Sequence, residues 1–427
     1  MRRVLIFAYF YPPLAGGGVH RVLSFTRHLP AHGWACTVVC AGERDYWVSD
    51  PSLLAAVPEE TEVIRVPGGS LLSGWLKLRR DDARGRRSAS AFGPLRGVVD
   101  WFLLPDSYAG WASRARALVE ARIARGGIDV LLSSSPPDSV HLAARDAART
   151  TGVPWAADFR DPWMGLSFRP PPTPWHASAH RAMEASVLDG ASLVLAASRT
   201  HADALAARAP GRPREVVHLP NGFEPASFIS ASGDPDHFRV VFTGALSLME
   251  DVGTLIDAVA RLLERDPGAR AVLRVELYGP YDRHWEERAR TTGLDGVVRF
   301  TGTRPHAEAR SAQETADLLV LWRPHGERFR TMVPGKTYEY LASGRPVLAL
   351  LQADDEAAVL VRRAGGAVIA PGSVDALERE IAARLARWRS SGRVPDAVPD
   401  WLGSYTREHL AGALARALDG LAAGARA

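Results

Sequence analysis

Short runs of aliphatic and β-branched residues alternate with stretches of helical periodicity along the whole chain. The runs fall at residues 4–8, 37–41, 62–66, 130–134, 155–159, 193–197 and 216–220, then at 239–244, 273–278, 297–302, 318–322, 346–350 and 367–370. They are short and spaced 20 to 40 residues apart for the most part, with helical stretches between. Helical stretches between them predict parallel sheets with helices on both faces. Thirteen such strands are too many for one comfortable sheet. The first series ends at Pro220-Asn221-Gly222 and a polar stretch follows at 230–236, a composition that marks connections rather than elements. The pattern therefore predicts two Rossmann-like α/β domains, 1–222 and 223–399. The last segment, 400–427, has Leu and Ala at helical spacing after a proline-containing link and is expected to fold back on the first domain. No short-period repeat is present.

Composition narrows this picture. With 427 residues, 46% hydrophobic and 23% charged, the chain is large enough for two cores and too large for a single small binding module. No run approaches the roughly 18 apolar residues that span a bilayer. The opening Met1-Arg2-Arg3 and its apolar run imitate a signal peptide, but Pro12-Pro13 interrupts them with no cleavage-site pattern, so a first buried strand is expected. Cys36 and Cys40 lie four apart on one predicted strand, a poor geometry for a disulfide, and read as buried free thiols.

Net charge is +4, unevenly spread: residues 1–222 carry +6 and the remainder −2, which turns the first half toward an anionic partner. Within it, residues 70–106 interleave an arginine-rich run (79–87) with Trp75, Trp101, Phe102 and leucines. That mixture suits a segment lying on anionic lipid, and equally a charged loop between buried helices. Nucleic acid is not expected, because no binding module accompanies the charge.

Three constellations carry chemistry. The first is Gly16-Gly17-Gly18-Val19-His20-Arg21, between the first strand and a helix. Glycines there let backbone N–H groups approach an anion, although the spacing is not the dinucleotide fingerprint; a tight turn is the plain alternative. The second is Asp158-Phe159-Arg160-Asp161-Pro162-Trp163 at the carboxyl end of a strand, where open α/β sheets place ligands. It reads as contact with a sugar or an acceptor hydroxyl, or as an ion pair of Arg160 with Asp161 or Asp158. The third is Gly335-Lys336-Thr337-Tyr338-Glu339, opening a short helix that stops at Gly344. Lysine at a dipole-positive helix start is unfavourable unless an anion sits there. The chain has only two lysines, Lys77 and Lys336, which makes this one informative. A surface pair with Glu339, three residues on, is the alternative.

Together with Leu219-Pro220-Asn221-Gly222-Phe223, Phe242-Thr243-Gly244 and Gly344-Arg345-Pro346, these features resemble the GT-B glycosyltransferases of family 4, the retaining nucleotide-sugar enzymes, over essentially the whole chain. The resemblance implies two domains facing a central cleft, a donor held mainly by the second and an acceptor by the first. It places Glu339 on the donor ribose and the Gly335-Lys336 turn at the diphosphate. Two departures stand out. The position of the family's first glutamate is Thr331, with Glu327 nearby but out of register. The Arg and Lys that usually follow the glycine opening the second domain are missing, since Gly244 leads into Ala245-Leu246, with Glu250-Asp251 beyond. The family's sugar-contacting His has no secure counterpart in His20 or His141.

The resulting expectation is a retaining transferase acting on a UDP- or GDP-linked sugar, with no cofactor and no metal. Asp158, Arg160, Asp161 and Lys336 would carry the chemistry. Donor contacts would come from Gly17, Gly18, Gly244, Thr303, Arg304, Arg323 (or Arg328), Gly335, Lys336 and Glu339; acceptor contacts from His20, Arg21 and Trp163. The acceptor would be a lipid-linked or other glycan in polysaccharide or glycoconjugate assembly, in the cytoplasm and peripherally at the inner membrane face. Decoration of a soluble natural product, and a GT-B protein that binds nucleotide without catalysis, are the alternatives.

Overall fold

The computed structural model describes residues 1–14, 16–43, 45, 49–68, 86–87, 103–164, 171–209, 216–225, 233–246, 251–324, 326, 329–393 and 398–424. The expected interfacial segment, with Lys77, falls almost wholly outside them, as do Glu327, Arg328 and Glu250. The chain forms two compact units. Unit 1 holds residues 1–80, 92–222 and 404–427; unit 2 holds 81–91 and 223–403.

In unit 1 the strands are β1 (Arg2–Ala8), β2 (Trp34–Ala41), β3 (Glu62–Val66), β5 (Val130–Ser135), β6 (Trp155–Phe159), β7 (Leu193–Ala196) and β8 (Val216–His218); the two-residue β4 (Arg86–Arg87) lies between β3 and β5 in sequence and belongs to unit 2. They form one seven-stranded parallel sheet in the order β3-β2-β1-β5-β6-β7-β8. β1, at its centre, is apolar on both faces because helices cover both. The helix Ser139–Thr151 buries Val140, Ala143, Ala144 and Ala147 against one face. On the other, the helix Gly17–His28 and the C-terminal helix Arg407–Gly424 meet, the latter burying Leu410, Leu414 and Leu418. Each fully buried leucine there contributes about 1.5 to 3 kcal/mol of transfer free energy. Cys36 and Cys40 sit in that same layer as free thiols, and burial pushes both up to about 12.

Unit 2 contains β9 (Phe238–Thr243), β10 (Leu273–Tyr278), β11 (Tyr281–Asp282), β12 (Val298–Gly302), β13 (Leu318–Trp322), β14 (Val347–Leu350) and β15 (Ala367–Ile369). Six of them make a parallel sheet in the order β12-β10-β9-β13-β14-β15. The helix Val252–Arg265 turns Val252, Leu255, Ile256, Val259 and Leu262 inward at three- and four-residue spacing. The expected assignment of all of 1–222 to one domain differs at β4, which pairs in parallel with β11. No described helix is long and apolar enough to cross a membrane.

Candidate active site

In both units the signals found in the sequence lie at the carboxyl edge of the sheet. In unit 1, β1 ends before the Gly16–Gly18 turn, and Gly16 takes φ +115°, a conformation open to glycine. β6 ends at Asp158-Phe159 and leads into Arg160. The structure brings these two stretches together. A Cβ on Gly18 would lie 1.9 Å from Nη1 of Arg160, so the absent side chain makes room for the guanidinium. Arg160 also donates from Nη2 (2.8 Å) and Nε (3.2 Å) to Oδ2 of Asp161. Gly17 is exposed, with open space where a side chain would be.

Asp158 and Arg21, expected to touch substrate, do not. Asp158 is completely buried and Arg21 nearly so. Arg21 grips the carboxylate with both arms, Nε to Oδ2 at 2.9 Å and Nη2 to Oδ1 at 2.6 Å. Ser134 Oγ donates to Oδ2 as well (2.8 Å), and Arg21 Nη1 reaches the Pro220 carbonyl at 3.1 Å. Two charges withdrawn this far from water are tolerable only because each satisfies the other. The pair ties the glycine-led helix to β6 and to the end of the unit. Trp163, expected at the acceptor, is likewise a wall residue: it is buried and donates Nε1–H to His180 Nδ1 at 3.0 Å.

Behind this edge lies a neutral relay. Trp155 Nε1–H donates to Ser133 Oγ (2.8 Å), which is also hydrogen-bonded to His141 Nδ1 (2.7 Å). Burial drives His141 down to about 3, so it stays uncharged at neutral pH. His20 is half-buried one turn into its helix. Sequence reasoning missed Asp138, whose carboxyl is raised well above the usual range by burial and then by the nearby Asp106, Glu184 and Asp161. Its signal was there to read: Pro136-Pro137 directly after β5, then the start of a helix.

In unit 2 the carboxyl ends of β9, β10 and β12 converge on three glycines with positive φ, Gly244, Gly279 and Gly302. Gly244 N donates to the Tyr278 carbonyl (2.8 Å) and Gly279 N to the Gly302 carbonyl (2.9 Å). A Cβ on Gly279 would meet the Gly244 carbonyl oxygen at 2.0 Å, so this approach admits no side chain. Thr243 is pinned from below: its N–H donates to Tyr340 Oη (2.7 Å), and its Oγ1 accepts from Gln313 Nε2 (2.8 Å). Lys336 opens the helix Lys336–Ala342 and lays Nζ 3.7 Å from the ring centroid of Phe242. A Cβ on Gly244 would sit 2.5 Å from the same Nζ. Lys336, Gly244 and the glycine-lined edge thus form one locus. Glu339 follows one turn on and is half-buried; Gly335, just before the helix, and Thr303 and Arg304, just after β12, are exposed.

Arg323, expected to replace the missing diphosphate cations, is committed elsewhere. It is buried, paired to both oxygens of Asp355 (2.8 and 3.1 Å), and donates to the carbonyls of Pro324 and Gly326. Asp251, near the usual lysine position, accepts from Gly372 N (3.2 Å) and from Thr254, joining segments within the unit. Among the described residues no group of three or more His, Cys, Asp or Glu is placed to hold a metal ion.

Two parallel-sheet α/β units, each with its glycine-rich turns at the carboxyl edge, define a GT-B architecture. Two family models match: "Glycosyl transferase 4-like domain" over residues 16–222 and "Glycosyl transferases group 1" over 237–387. The chain belongs to the family 4 glycosyltransferases of the GT-B fold. A D-inositol 3-phosphate glycosyltransferase of Corynebacterium aurimucosum is 36% identical over 126 residues, 27% of this chain and 28% of the relative. One of the same name from Corynebacterium diphtheriae is 27% identical over 190 residues, 40% of this chain and 43% of the relative. The matched stretches thus span less than half of those relatives. Among solved structures, Anabaena HepE in complex with UDP and glucose superposes with a TM-score of 0.63 at 16% identity, over 98% of this chain and 100% of HepE.

Proposed function

We propose that the protein is a retaining glycosyltransferase that moves a sugar from a nucleoside-diphosphate sugar to a lipid-linked or other glycan acceptor, without a metal ion. The observation that carries the reading is the Lys336 ammonium held against Gly244, at the strand end where the family's usual Arg and Lys are missing. In this reading the bond from the anomeric carbon to the donor phosphate breaks while the acceptor oxygen bonds to that carbon on the same face. The hydroxyl proton passes to the departing diphosphate. The main demand on the protein is stabilisation of that leaving charge, which a preorganised cation and backbone amides supply. Lys336 and the Gly335 turn serve the phosphates. Glu339 serves the ribose, and Arg160 with Asp161 orients the sugar or acceptor.

HepE, of the same fold, was solved with UDP and glucose, which supports UDP as the first nucleotide to try. The relatives' names bring a phosphorylated cyclitol in as one acceptor to test beside lipid-linked glycans. The cationic balance of residues 1–222 supports an anionic acceptor at the inner membrane face. The test is a panel of UDP- and GDP-sugars assayed for slow donor hydrolysis, and then for transfer with each acceptor class. One donor hydrolysed, its nucleoside diphosphate raising the melting temperature by mass action, is the expected result. Nucleotide binding with no turnover of any donor would replace the enzyme by a nucleotide-binding protein of the same fold.

A further inference from the structure

Lys336 does not sit on the strand whose glycine it accompanies, so something other than that strand must hold its ammonium in place. Phe242 and Gly244 are two apart on β9 and its extension, so they face the same side. Phe242 in turn stacks on Trp322, from the neighbouring strand β13, with centroids 4.0 Å apart and planes within 8°. Both rings are fully buried. The ammonium caps this stack at 3.7 Å from the Phe242 centroid, where the negative face of the ring attracts a cation. Gly244 completes the seat, because any larger residue would put its Cβ 2.5 Å from Nζ. The Tyr340 and Gln313 hydrogen bonds to Thr243 fix the backbone between ring and glycine.

We infer that Phe242, backed by Trp322, is a positioning residue for this family member: its ring face seats the Lys336 ammonium beside Gly244 and so supplies the diphosphate cation that the missing Arg and Lys would otherwise provide. This rests on the reading of Lys336 as that cation. Lysine carries four rotatable bonds, and a free one would lose side-chain entropy on meeting the phosphates. An aromatic platform removes part of that freedom beforehand.

The experiment measures the ratio of UDP to UMP affinity, which isolates the contribution of the second phosphate, in the full chain. Phe242→Leu should lower that ratio by about 2- to 30-fold, the range a cation–π contact spans between exposed and desolvated sites. Phe242→Tyr, which keeps the ring face, should restore it. In a Lys336→Met background Phe242→Leu should change the ratio no further. Because a leucine under a stacked tryptophan risks the fold, a second series places mono-, di- and trifluorophenylalanine at 242. These keep the ring's shape and drain its negative face, so the ratio should fall stepwise with fluorination. A ratio indifferent to fluorination, or an equal loss from Phe242→Leu with and without Lys336, overturns the positioning role while leaving Lys336 as the cation. A ratio unmoved by Lys336→Met overturns both.

Discussion

At the carboxyl edge of the first sheet the charged side chains answer one another: Arg21 holds Asp158 in the interior, and Arg160 holds Asp161 beside the Gly16–Gly18 turn. At the edge of the second, three glycines open the backbone and a lysine ammonium lies on an aromatic face. Both edges are built from strand-to-helix turns rich in glycine, yet the charge is spent differently. The first edge pairs its charges, a surface suited to hydroxyl-rich ligands that bring hydrogen-bonding groups and little charge. The second sets a cation beside a glycine-lined backbone free of side chains, a surface suited to phosphate. A residue's place in a motif therefore does not fix its role. Asp158 stands at the end of β6 in a charge-rich motif and is a buried tie, whereas Lys336 opens a short helix and faces the glycine edge.

Separating the two halves of the Arg21–Asp158 pair should produce the largest effect. Asp158→Asn leaves a buried guanidinium facing a neutral amide, and the cost of one uncompensated buried charge is about 3 to 5 kcal/mol. Chemical denaturation should show that loss, and double replacement by apolar residues of similar volume should recover part of it. If Asp158→Asn leaves stability intact and abolishes activity alone, Asp158 returns to the site and the contrast between the edges fails.

A smaller effect sharpens the same contrast through pH. His141 and His201 are buried behind the first edge and lowered by that burial to about 3 and about 4. The unfolded chain takes up their protons near pH 6.5, whereas the folded protein does so only near 3 to 4. Their contribution is therefore present above 6.5 and is lost as pH falls between these limits. By pH 5.5 each should cost about 1 kcal/mol of stability. Urea unfolding across pH 7.5 to 4.5 should show this slope, and His141→Gln with His201→Gln should flatten it. A slope unchanged in the double variant places the titrating groups elsewhere.

All thirteen strands of the two sheets were legible, because each reads as a short run rich in aliphatic and β-branched residues between helical stretches. Their ends differ by up to three residues: 37–41 lengthens to Trp34–Ala41, and 216–220 shortens to Val216–His218, where Pro220 cannot continue the ladder. The pairing of β4 with β11 was not legible, since two arginines carry no strand signal. Partnership was the harder part. Arg21 and Asp158 lie 137 residues apart and Arg323 and Asp355 lie 32 apart, and no local pattern announces that either pair closes on itself. Arginine looks the same in sequence whether it awaits a phosphate or is already satisfied by a carboxylate. Lys336 was legible for a different reason: rarity and an unfavourable position on the helix dipole are both local properties. The aromatic platform beneath it, contributed by two distant strands, became visible only in three dimensions.

The claim that most of this account depends on is that Lys336 takes the place of the diphosphate cations the chain lacks. Calorimetry of UDP and UMP, and of GDP and GMP should the donor panel favour guanine, measures it directly in the wild-type protein and in Lys336→Ala. The account predicts that the preference for diphosphate over monophosphate falls by at least about tenfold in the variant, the loss expected of one charge-assisted contact, while the melting temperature without ligand changes little. An unchanged preference in a folded variant would contradict it.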